Sequence, residues 1–531
     1  MPCAYTPLEE IPKIRDTARR AFFSGKAQSL AFRKEQMVQV GYLLKDNEYR
    51  LKNAIKTDLG LYCVYCVRHA FAPAKRESHL CPLALELLQI RSAYDNLDKW
   101  SRSQNIELNI NWFALGPKLK PEPKGVVLII APFNLPLFLT LSPLVSAIAA
   151  GNAVCIKPSE QNPTVNAVLT ELLPKYLDPE LYNVINGGIA ETSKILEYKW
   201  DHTYKGRSRV GRIVATAAAK HLTPVTLEVR KTPIVLDPKI DIKLAARRLL
   251  WGRFANAGQI CTCPDYLLVP REIMEPLVVA MKETYQTFYP DGPEASDSFA
   301  RIVSEDATKR IQSLLGETRG TVILGGQVDV PKKYVAPTVV ANFDGDDALM
   351  GEEIFGPVLM LVPVQDVDEA IAFIQAREYP LVVYVFSPNK KFQQKVFTST
   401  KSGAALAKDT VMSPAVPGFP VGGVGGSGYG YYAARQAFEE FSHWRVTLDN
   451  PSWVDKFVLG FRFPPYQASP GALERCPGYK TYTSMLYASL PPRPKKAGPV
   501  QKMWAFSIIG AAVGAAFILL TLAWPHLQSR T

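Results

Sequence analysis

The fold is decided by residues 125–156, which read GVVLIIAPFNLPLFLTLSPLVSAIAAGNAVCI. Residues 125–130 are a short apolar run rich in β-branched side chains, as in strands buried on both faces. Residues 136–150 are mostly small or apolar over a length that favours a helix, and residues 153–156 form a second apolar run. Strand, helix and strand in this order predict a parallel pair joined by a crossover helix.

The alternation of strands and helices continues on both sides of this segment. A second series runs from about residue 225 to residue 407. The sequence therefore predicts an α/β protein with two doubly wound domains, in which helices cover both faces of each parallel sheet. The other predicted elements are helices at 30–56, 83–100, 164–176 and 192–198 and strands at 106–116 and 182–185.

Composition bounds the class of protein. The chain has 531 residues, 47% of them hydrophobic and 21% charged, which predicts a large core and more than one compact domain. Its eight cysteines are sparse and irregularly spaced, which indicates a reducing compartment rather than a disulfide framework. The formal net charge is +12, but the chain has no zinc-finger or RNA-binding signature, so we expect no nucleic-acid partner.

The C-terminal tail has the pattern of a membrane anchor. Residues 503–524 read MWAFSIIGAAVGAAFILLTLAW, without a charged side chain. As a helix they span about 33 Å, enough to cross a hydrocarbon core, with Trp504 and Trp524 at the two interfaces. The proline-rich linker 491–502 carries cations, whereas only Arg530 follows the apolar run, so the main body is expected to face the cytosol. The pattern leaves open the endoplasmic reticulum and the mitochondrial outer membrane.

The segment 61–82 does not fit the elements around it. It contains three cysteines and two histidines, and Cys63 and Cys66 form a CxxC pair. One interpretation is a zinc site, but a single CxxC without a matched second pair favours an inserted loop. We therefore predict no metal site.

Cys261 is the candidate nucleophile. It lies in residues 256–264, NAGQICTCP, between a predicted helix and a predicted strand at 266–269. A loop before a strand can expose a sulfur to a cleft, although most cysteines are inert small hydrophobic residues. The local pattern alone does not decide between these two interpretations.

The segment around Cys261 resembles a known family. Residues 254–270, FANAGQICTCPDYLLVP, are similar to the active-cysteine segment of aldehyde dehydrogenases, and the similarity covers about residues 8–450. The branch it most resembles is the class 3, fatty aldehyde type, many members of which carry a C-terminal membrane tail. Four further blocks match in the same order: 131–160, 217–228, 351–359 and 419–430.

The resemblance implies an NAD(P)-dependent oxidation of an aldehyde to its carboxylic acid. Cys261 would attack the aldehyde as a thiolate and form first a thiohemiacetal and then a thioester. The side-chain amide of Asn134 and the backbone N–H of Cys261 would hold the oxyanion. Glu228 would activate water as the general base, a role that suits a carboxylate at the end of an apolar strand, where desolvation raises its pKa.

The resemblance also implies how the cofactor is held. Lys157 and Glu160 would contact the adenosine ribose, and Glu353 the nicotinamide ribose. Glu160 would repel a 2′-phosphate, so NAD is favoured, although NADP is possible. The implied cofactor residues are Lys157, Glu160, Gly206, Gly211, Glu353 and Phe355.

Two motifs depart from the family pattern. The glycine turn at 204–211 reads YKGRSRVG and brings in three cations, and Val229 and Arg230 stand where the family has two glycines after the base. Cations near a helix start can strengthen phosphate binding or block it by their bulk. A second hypothesis is therefore a non-catalytic, membrane-bound scaffold.

The expected substrate is a hydrophobic aldehyde, because a tethered enzyme meets molecules that partition into lipid. Long-chain fatty aldehydes come first, with terpenoid or apocarotenoid aldehydes as the alternative. The resemblance further implies a homodimer. The predicted organisation is a cofactor domain at 1–225 with a β extension near 106–120, a catalytic domain at 226–420, an oligomerisation segment at 421–490, the linker and the transmembrane helix.

Overall fold

The computed structural model describes residues 3–60, 82–106, 113–206, 208–228, 231–342, 345–416, 418–456 and 462–464. The helices are α1 (Glu10–Phe23), α2 (Leu30–Asp46), α3 (Glu48–Leu59), α4 (Pro82–Trp100), α5 (Phe138–Ala150), α6 (Pro163–Tyr176), α7 (Ile189–Leu196), α8 (Ser208–Ala219), α9 (Ile242–Phe254), α10 (Arg271–Phe288), α11 (Glu305–Glu317), α12 (Ala348–Gly351), α13 (Val367–Gln375), α14 (Lys390–Ser399), α15 (Ala434–Glu440) and α16 (Ser452–Val454).

The strands alternate with these helices. They are β1 (Gln104–Asn105), β2 (Lys118–Pro123), β3 (Val126–Ile130), β4 (Ala153–Lys157), β5 (Tyr182–Val184), β6 (His202–Gly206), β7 (Val225–Glu228), β8 (Pro233–Leu236), β9 (Tyr266–Pro270), β10 (Thr321–Leu324), β11 (Val328–Asp329), β12 (Tyr334–Val335), β13 (Thr338–Ala341), β14 (Val358–Val364), β15 (Val382–Phe386), β16 (Ala404–Ala407), β17 (Gly428–Tyr429) and β18 (Ser442–Thr447).

A six-stranded sheet has the order β17-β7-β6-β3-β4-β5. Its five strands from β3 to β7 are parallel, and β17 joins the edge of β7 antiparallel. After β3 the chain adds β4 and β5 on one side of that strand. It then crosses over and adds β6 and β7 on the other side, so the strand order reverses between β3 and β6. In open α/β sheets the crevice outside the carboxyl ends of the strands at such a reversal is the usual ligand site.

A seven-stranded sheet has the order β10-β13-β14-β9-β8-β15-β16. All its neighbouring strands are parallel except β10 and β13. This sheet and the six-stranded one lie in a larger compact unit that comprises residues 1–102 and 121–443. A smaller unit, formed by 103–120 and residues after 443, contains β1 and parts of β2 and β18.

The predicted strand–helix–strand segment is confirmed. Every residue of β3 and β4 is buried, which explains why both strands are continuous apolar runs. All residues of α5 are also buried. A helix that is apolar on every side belongs in the interior, and α5 packs against β3, β4 and helices of the same unit.

Two predicted elements differ from the structure. The helix predicted at 30–56 is two helices, because the Asn47 side chain donates to the carbonyl of Leu43 at 3.0 Å and to the hydroxyl of Tyr176 at 3.1 Å. The β-like prediction at 106–116 is wrong for Phe113–Leu115, which form a short 3-10 turn. There Gly116, at a φ of +53°, turns the chain before Pro117.

Several predictions concern residues that the structure does not describe. These residues include most of 61–82, the linker 491–502 and the apolar tail 503–524. In the described part of the chain, no helix combines the length and the apolar character that a membrane crossing requires.

Glu86 gives the fold a testable dependence on pH. Its carboxyl is fully buried in α4, neither oxygen has a hydrogen-bond partner among the described residues, and burial raises its pKa well above the usual range. The folded state keeps this proton while the unfolded chain loses it, so stability falls as pH rises above the unfolded pKa. We expect Glu86→Leu to raise the melting temperature by about 2–5 °C near pH 8.

The measurement is differential scanning fluorimetry from acid to neutral pH. The advantage of the leucine variant should shrink as the pH falls toward the ordinary pKa of a glutamic acid, because the unfolded wild-type chain then keeps its proton too. Glu86→Gln, which removes only the ionisation, should flatten the pH dependence. Equal pH profiles for Glu86→Gln and the wild type would contradict this account.

Candidate active site

Four strands of the six-stranded sheet bring site residues to one edge. Lys157 is opposite Ile130 at the ends of β4 and β3, and Gly206 is opposite Glu228 at the ends of β6 and β7. Asn134 lies in the loop that follows β3, and its side chain is buried. Carboxyl ends of parallel strands meet at one edge, so residues remote in sequence share the crevice.

The glycine run at 422–428 supports the strand that carries Glu228. Gly428 of β17 lies opposite Glu228 in the antiparallel pairing. It has a φ of +122°, and a Cβ at this position would lie 2.0 Å from the carbonyl oxygen of Leu227. Only glycine permits this approach of two backbones, so the run positions β7.

Cys261 lies in a loop between α9 and β9. Asn256, Ala257 and Gly258 have φ values of 49°, 52° and 73°, three consecutive left-handed residues that reverse the chain before the cysteine. Non-glycine residues in this region cost about 1–3 kcal/mol each and need support from their surroundings. The Cys261 side chain is partly exposed, whereas Cys263 is buried. Burial raises the pKa of Cys263 to about 12.

A buried amide network holds this loop. The Nδ2 of Asn256 donates to the backbone carbonyl of Asn134 at 2.9 Å. The Nε2 of Gln259 donates to the carbonyls of Asn256 and Arg301, each at 3.0 Å, and its Oε1 accepts from the N–H of Val303 at 2.9 Å. Asn256 therefore ties the loop of the nucleophile to the loop of the oxyanion donor.

The Cys261 thiol and the Glu228 carboxyl lie close enough that each shifts the pKa of the other. Burial raises the pKa of Glu228, and its contacts with Cys261 and Tyr432 partly oppose that shift. Burial and the nearby Glu228 charge raise the pKa of Cys261 well above its usual range. A thiol in this setting keeps its proton until a base removes it, so the thiolate that attacks the aldehyde has to form at that step.

Two tyrosines next to this pair are absent from the sequence prediction. Tyr432 and Tyr204 are fully buried, and their rings meet edge to face with centroids 5.5 Å apart. The Tyr432 hydroxyl contacts the Glu228 carboxyl. Tyr432 follows the glycine run in a string of tyrosines and glycines, where no spacing distinguishes one ring from another.

A cavity lies at the predicted adenosine end of the cofactor site. The Nζ of Lys157 pairs with the Oε2 of Glu160 at 2.6 Å. Glu160 and Asn186 line a cavity of about 320 Å³, and the Oδ1 of Asn186 is buried without a hydrogen-bond partner among the described residues. Carboxylate and amide oxygens are acceptors for ribose hydroxyls, so these residues fit a nucleoside.

The glycine turn joins a strand to a helix, as predicted. Gly206 ends β6, Ser208 begins α8, and Gly211 is buried in the first turn. A helix N-terminus attracts phosphate through its free N–H groups. The side chains of 205–209 and the backbone of Val229–Arg230 lie outside the described residues, so the effect of both departures stays a prediction.

The loop 352–356 carries the other two predicted cofactor residues. Glu353 lines a cavity of about 530 Å³ together with Arg212 and Lys231. Burial lowers the pKa of Lys231 to about 8, and its Nζ donates to the carbonyl of Leu349 at 2.9 Å. Phe355 has a φ of +48°, and its ring meets that of Phe133 edge to face at 5.6 Å.

The strand order and the cavity lined by Glu160 and Asn186 are typical of α/β proteins that bind a nucleotide. Comparison with known proteins narrows this class. The model of the Aldehyde dehydrogenase family matches residues 3–447, so the chain belongs to that family and is an NAD(P)-dependent aldehyde dehydrogenase.

Named relatives agree with this assignment. Aldehyde dehydrogenase family 3 member B3 of Mus musculus is 41% identical over 450 residues, 84% of this chain and 91% of that protein. The substrate-bound structure of Staphylococcus aureus AldH has a TM-score of 0.80 and 33% identity, covering 90% of this chain and 99% of that one. Pseudomonas syringae AldC, solved with NAD+ and octanal, has a TM-score of 0.72 and 25% identity, covering 84% and 90%.

Proposed function

We propose that this enzyme oxidises hydrophobic aldehydes to carboxylic acids through a thioester on Cys261. The observation that carries the proposal is the contact between a partly exposed thiol and a buried carboxyl with a raised pKa. A thiol that keeps its proton needs a nearby base, and Glu228, whose charge acts on this thiol, is the proposed base. The test is NADH formation by the purified protein with aldehydes of increasing chain length.

In the first half of the reaction, Glu228 accepts the thiol proton and the Cys261 sulfur attacks the aldehyde carbon. The carbonyl oxygen gains the charge of the thiohemiacetal, and the amide of Asn134 and the N–H of Cys261 stabilise it. One such donor is typically worth about 2.7–4 kcal/mol in the transition state. A bound nicotinamide would supply the hydride acceptor for the thiohemiacetal carbon, whose oxidation would leave a thioester on the Cys261 sulfur.

In the second half, Glu228 releases the thiol proton to solvent and then accepts a proton from water. Its Oε1 is buried and has no hydrogen-bond partner among the described residues, which suits an oxygen that receives a proton. The resulting hydroxide attacks the thioester carbonyl, the carbon–sulfur bond breaks, and the carboxylic acid leaves with the thiol restored. The raised pKa of Glu228 brings its proton affinity nearer to neutral pH, where a general base is effective.

The proposed cofactor contacts follow from the two cavities. Lys157 and Glu160 would hold the adenosine ribose, and Glu353 would hold the nicotinamide ribose. The Glu160 carboxylate favours NAD over NADP, since a 2′-phosphate would meet a like charge. Gly206 and Gly211, on either side of the start of α8, would lie beside the phosphates. The proposal also includes a homodimer, testable by sedimentation analysis.

The apolar tail at 503–524 supports a membrane-bound enzyme acting on lipid-soluble aldehydes such as long-chain fatty aldehydes. We expect the full-length protein to sediment with phospholipid vesicles and a chain lacking residues 501–531 to stay in the supernatant. Both forms should oxidise a short aldehyde equally well. The KM for hexadecanal presented in vesicles should rise about tenfold on truncation, because tethering raises the effective concentration. Co-sedimentation of the truncated chain would contradict the anchor.

A further inference from the structure

The loop 352–356 has an unusual backbone that needs support from outside. Phe355 is held at a φ of +48°, in the left-handed region that non-glycine residues rarely adopt. The loop begins after the short helix α12 and ends where β14 begins. Contacts from other elements can therefore fix the position of this loop and of Glu353.

One end of the loop is fixed from the interior by Arg253. This buried guanidinium donates to the carbonyl of Gly356 and, through Nη1, to Asp265 at 3.0 Å and to the carbonyl of Pro264 at 3.1 Å. A Cβ on Gly258 would lie 2.1 Å from the same carbonyl of Gly356. The end of the loop at Gly356 is thus packed directly against the segment that carries the nucleophile.

The other end of the loop is held by Arg310, which comes from α11. Its Nη1 donates to the Glu352 carboxylate at 2.7 Å and to the carbonyl of Glu353 at 3.5 Å. Its Nη2 donates to the carbonyl of Ile354. One planar guanidinium thus reaches three consecutive residues of the loop, which a fork of donors can do and a single ammonium cannot.

We propose that Arg310 is a positioning residue for the cofactor, fixing the loop so that Glu353 faces the 530 Å³ cavity. The inference rests on the proposed role of Glu353 at the nicotinamide ribose. Arg310 itself acts through the loop and does not touch the cofactor. Nothing in the sequence pattern marks it, since it is one of several cations on a partly exposed helix.

The test is binding of NAD to the full-length protein, measured by isothermal titration calorimetry beside binding of AMP. AMP carries only the adenosine half, which lies against Glu160 in the proposed site. We expect Arg310→Ala to raise the Kd for NAD about tenfold, because the loop loses its hydrogen bonds to one charged group. The Kd for AMP should change less than about twofold. Arg310→Lys should recover part of the affinity by pairing with Glu352 alone.

Lys309→Ala is the matched control, because Lys309 is the exposed neighbour on the same helix and its one ion pair among the described residues is with Asp306, at 3.8 Å. Its Kd values should equal those of the wild type. An unchanged Kd for NAD in Arg310→Ala would overturn the proposal, and so would an equal loss of NAD and AMP binding, which indicates a general structural role. Binding needs no turnover, so a failure of the proposed aldehyde chemistry would be seen separately, as absent NADH formation by the wild type.

Discussion

Replacement of Cys261 by alanine is expected to lower aldehyde-dependent NADH formation by about 10⁴-fold or more, because the covalent route then has no nucleophile. The partly exposed thiol is the atom that contacts Glu228, and the Asn134 loop is tied to the same turn through Asn256. The fold should not change, since a small side chain replaces another small one at the edge of the core. Circular dichroism and NAD binding check that the variant stays folded.

The matched control is Cys263→Ala. This second thiol lies two residues away but is buried, with its sulfur 3.9 Å from the carbonyl of Ala255. We expect a modest loss of stability and near wild-type turnover. If the two variants lost activity to the same extent, or if Cys261→Ala kept its activity, the assignment of the nucleophile would be wrong.

Replacement of Glu228 by glutamine is expected to lower the steady-state rate by about 10²–10⁴-fold, because an amide cannot take a proton from water. Rapid mixing at alkaline pH, where hydroxide takes over proton removal from the Cys261 thiol, should give a burst of about one NADH per subunit and then a slow phase. The burst reports the thioester, and the slow phase reports its hydrolysis. A single linear phase at the wild-type rate would exclude Glu228 as the base.

The same variant tests the electrostatics. Burial raises the pKa of Glu228. As the pH falls, the base should therefore become protonated, and the wild type lose activity, at a pH higher than the ordinary pKa of a glutamic acid. Glu228→Gln should lack this acid limb. Glu440→Gln is the control, since burial also raises the pKa of Glu440, but its charged neighbour is Lys124 and not Cys261. Its pH profile should match that of the wild type.

Much of this protein is determined by local sequence. Buried strands such as β3 and β4 are continuous apolar runs, and the α5 segment between them is apolar on every side, so the parallel sheet follows from residues 125–156 alone. The segment FANAGQIC likewise marks Cys261 as the candidate nucleophile, and five blocks in the same order indicate the family. These features can be predicted from short stretches of sequence, because the periodicity of a helix or strand reflects only which of its own faces are buried.

Only the tertiary structure decided how distant residues meet. The Asn256 side chain donates to the carbonyl of Asn134, 122 positions earlier in the sequence. Tyr432, which follows all strands of the seven-stranded sheet in sequence, lies next to Glu228. Arg310 holds a loop 42–44 positions further along the chain. The protonated resting thiol is also a tertiary result, since burial and a neighbouring carboxylate set its pKa. A sequence pattern reflects which faces of one helix or strand are buried. Contacts between residues remote in sequence depend instead on how the helices, strands and loops pack in three dimensions.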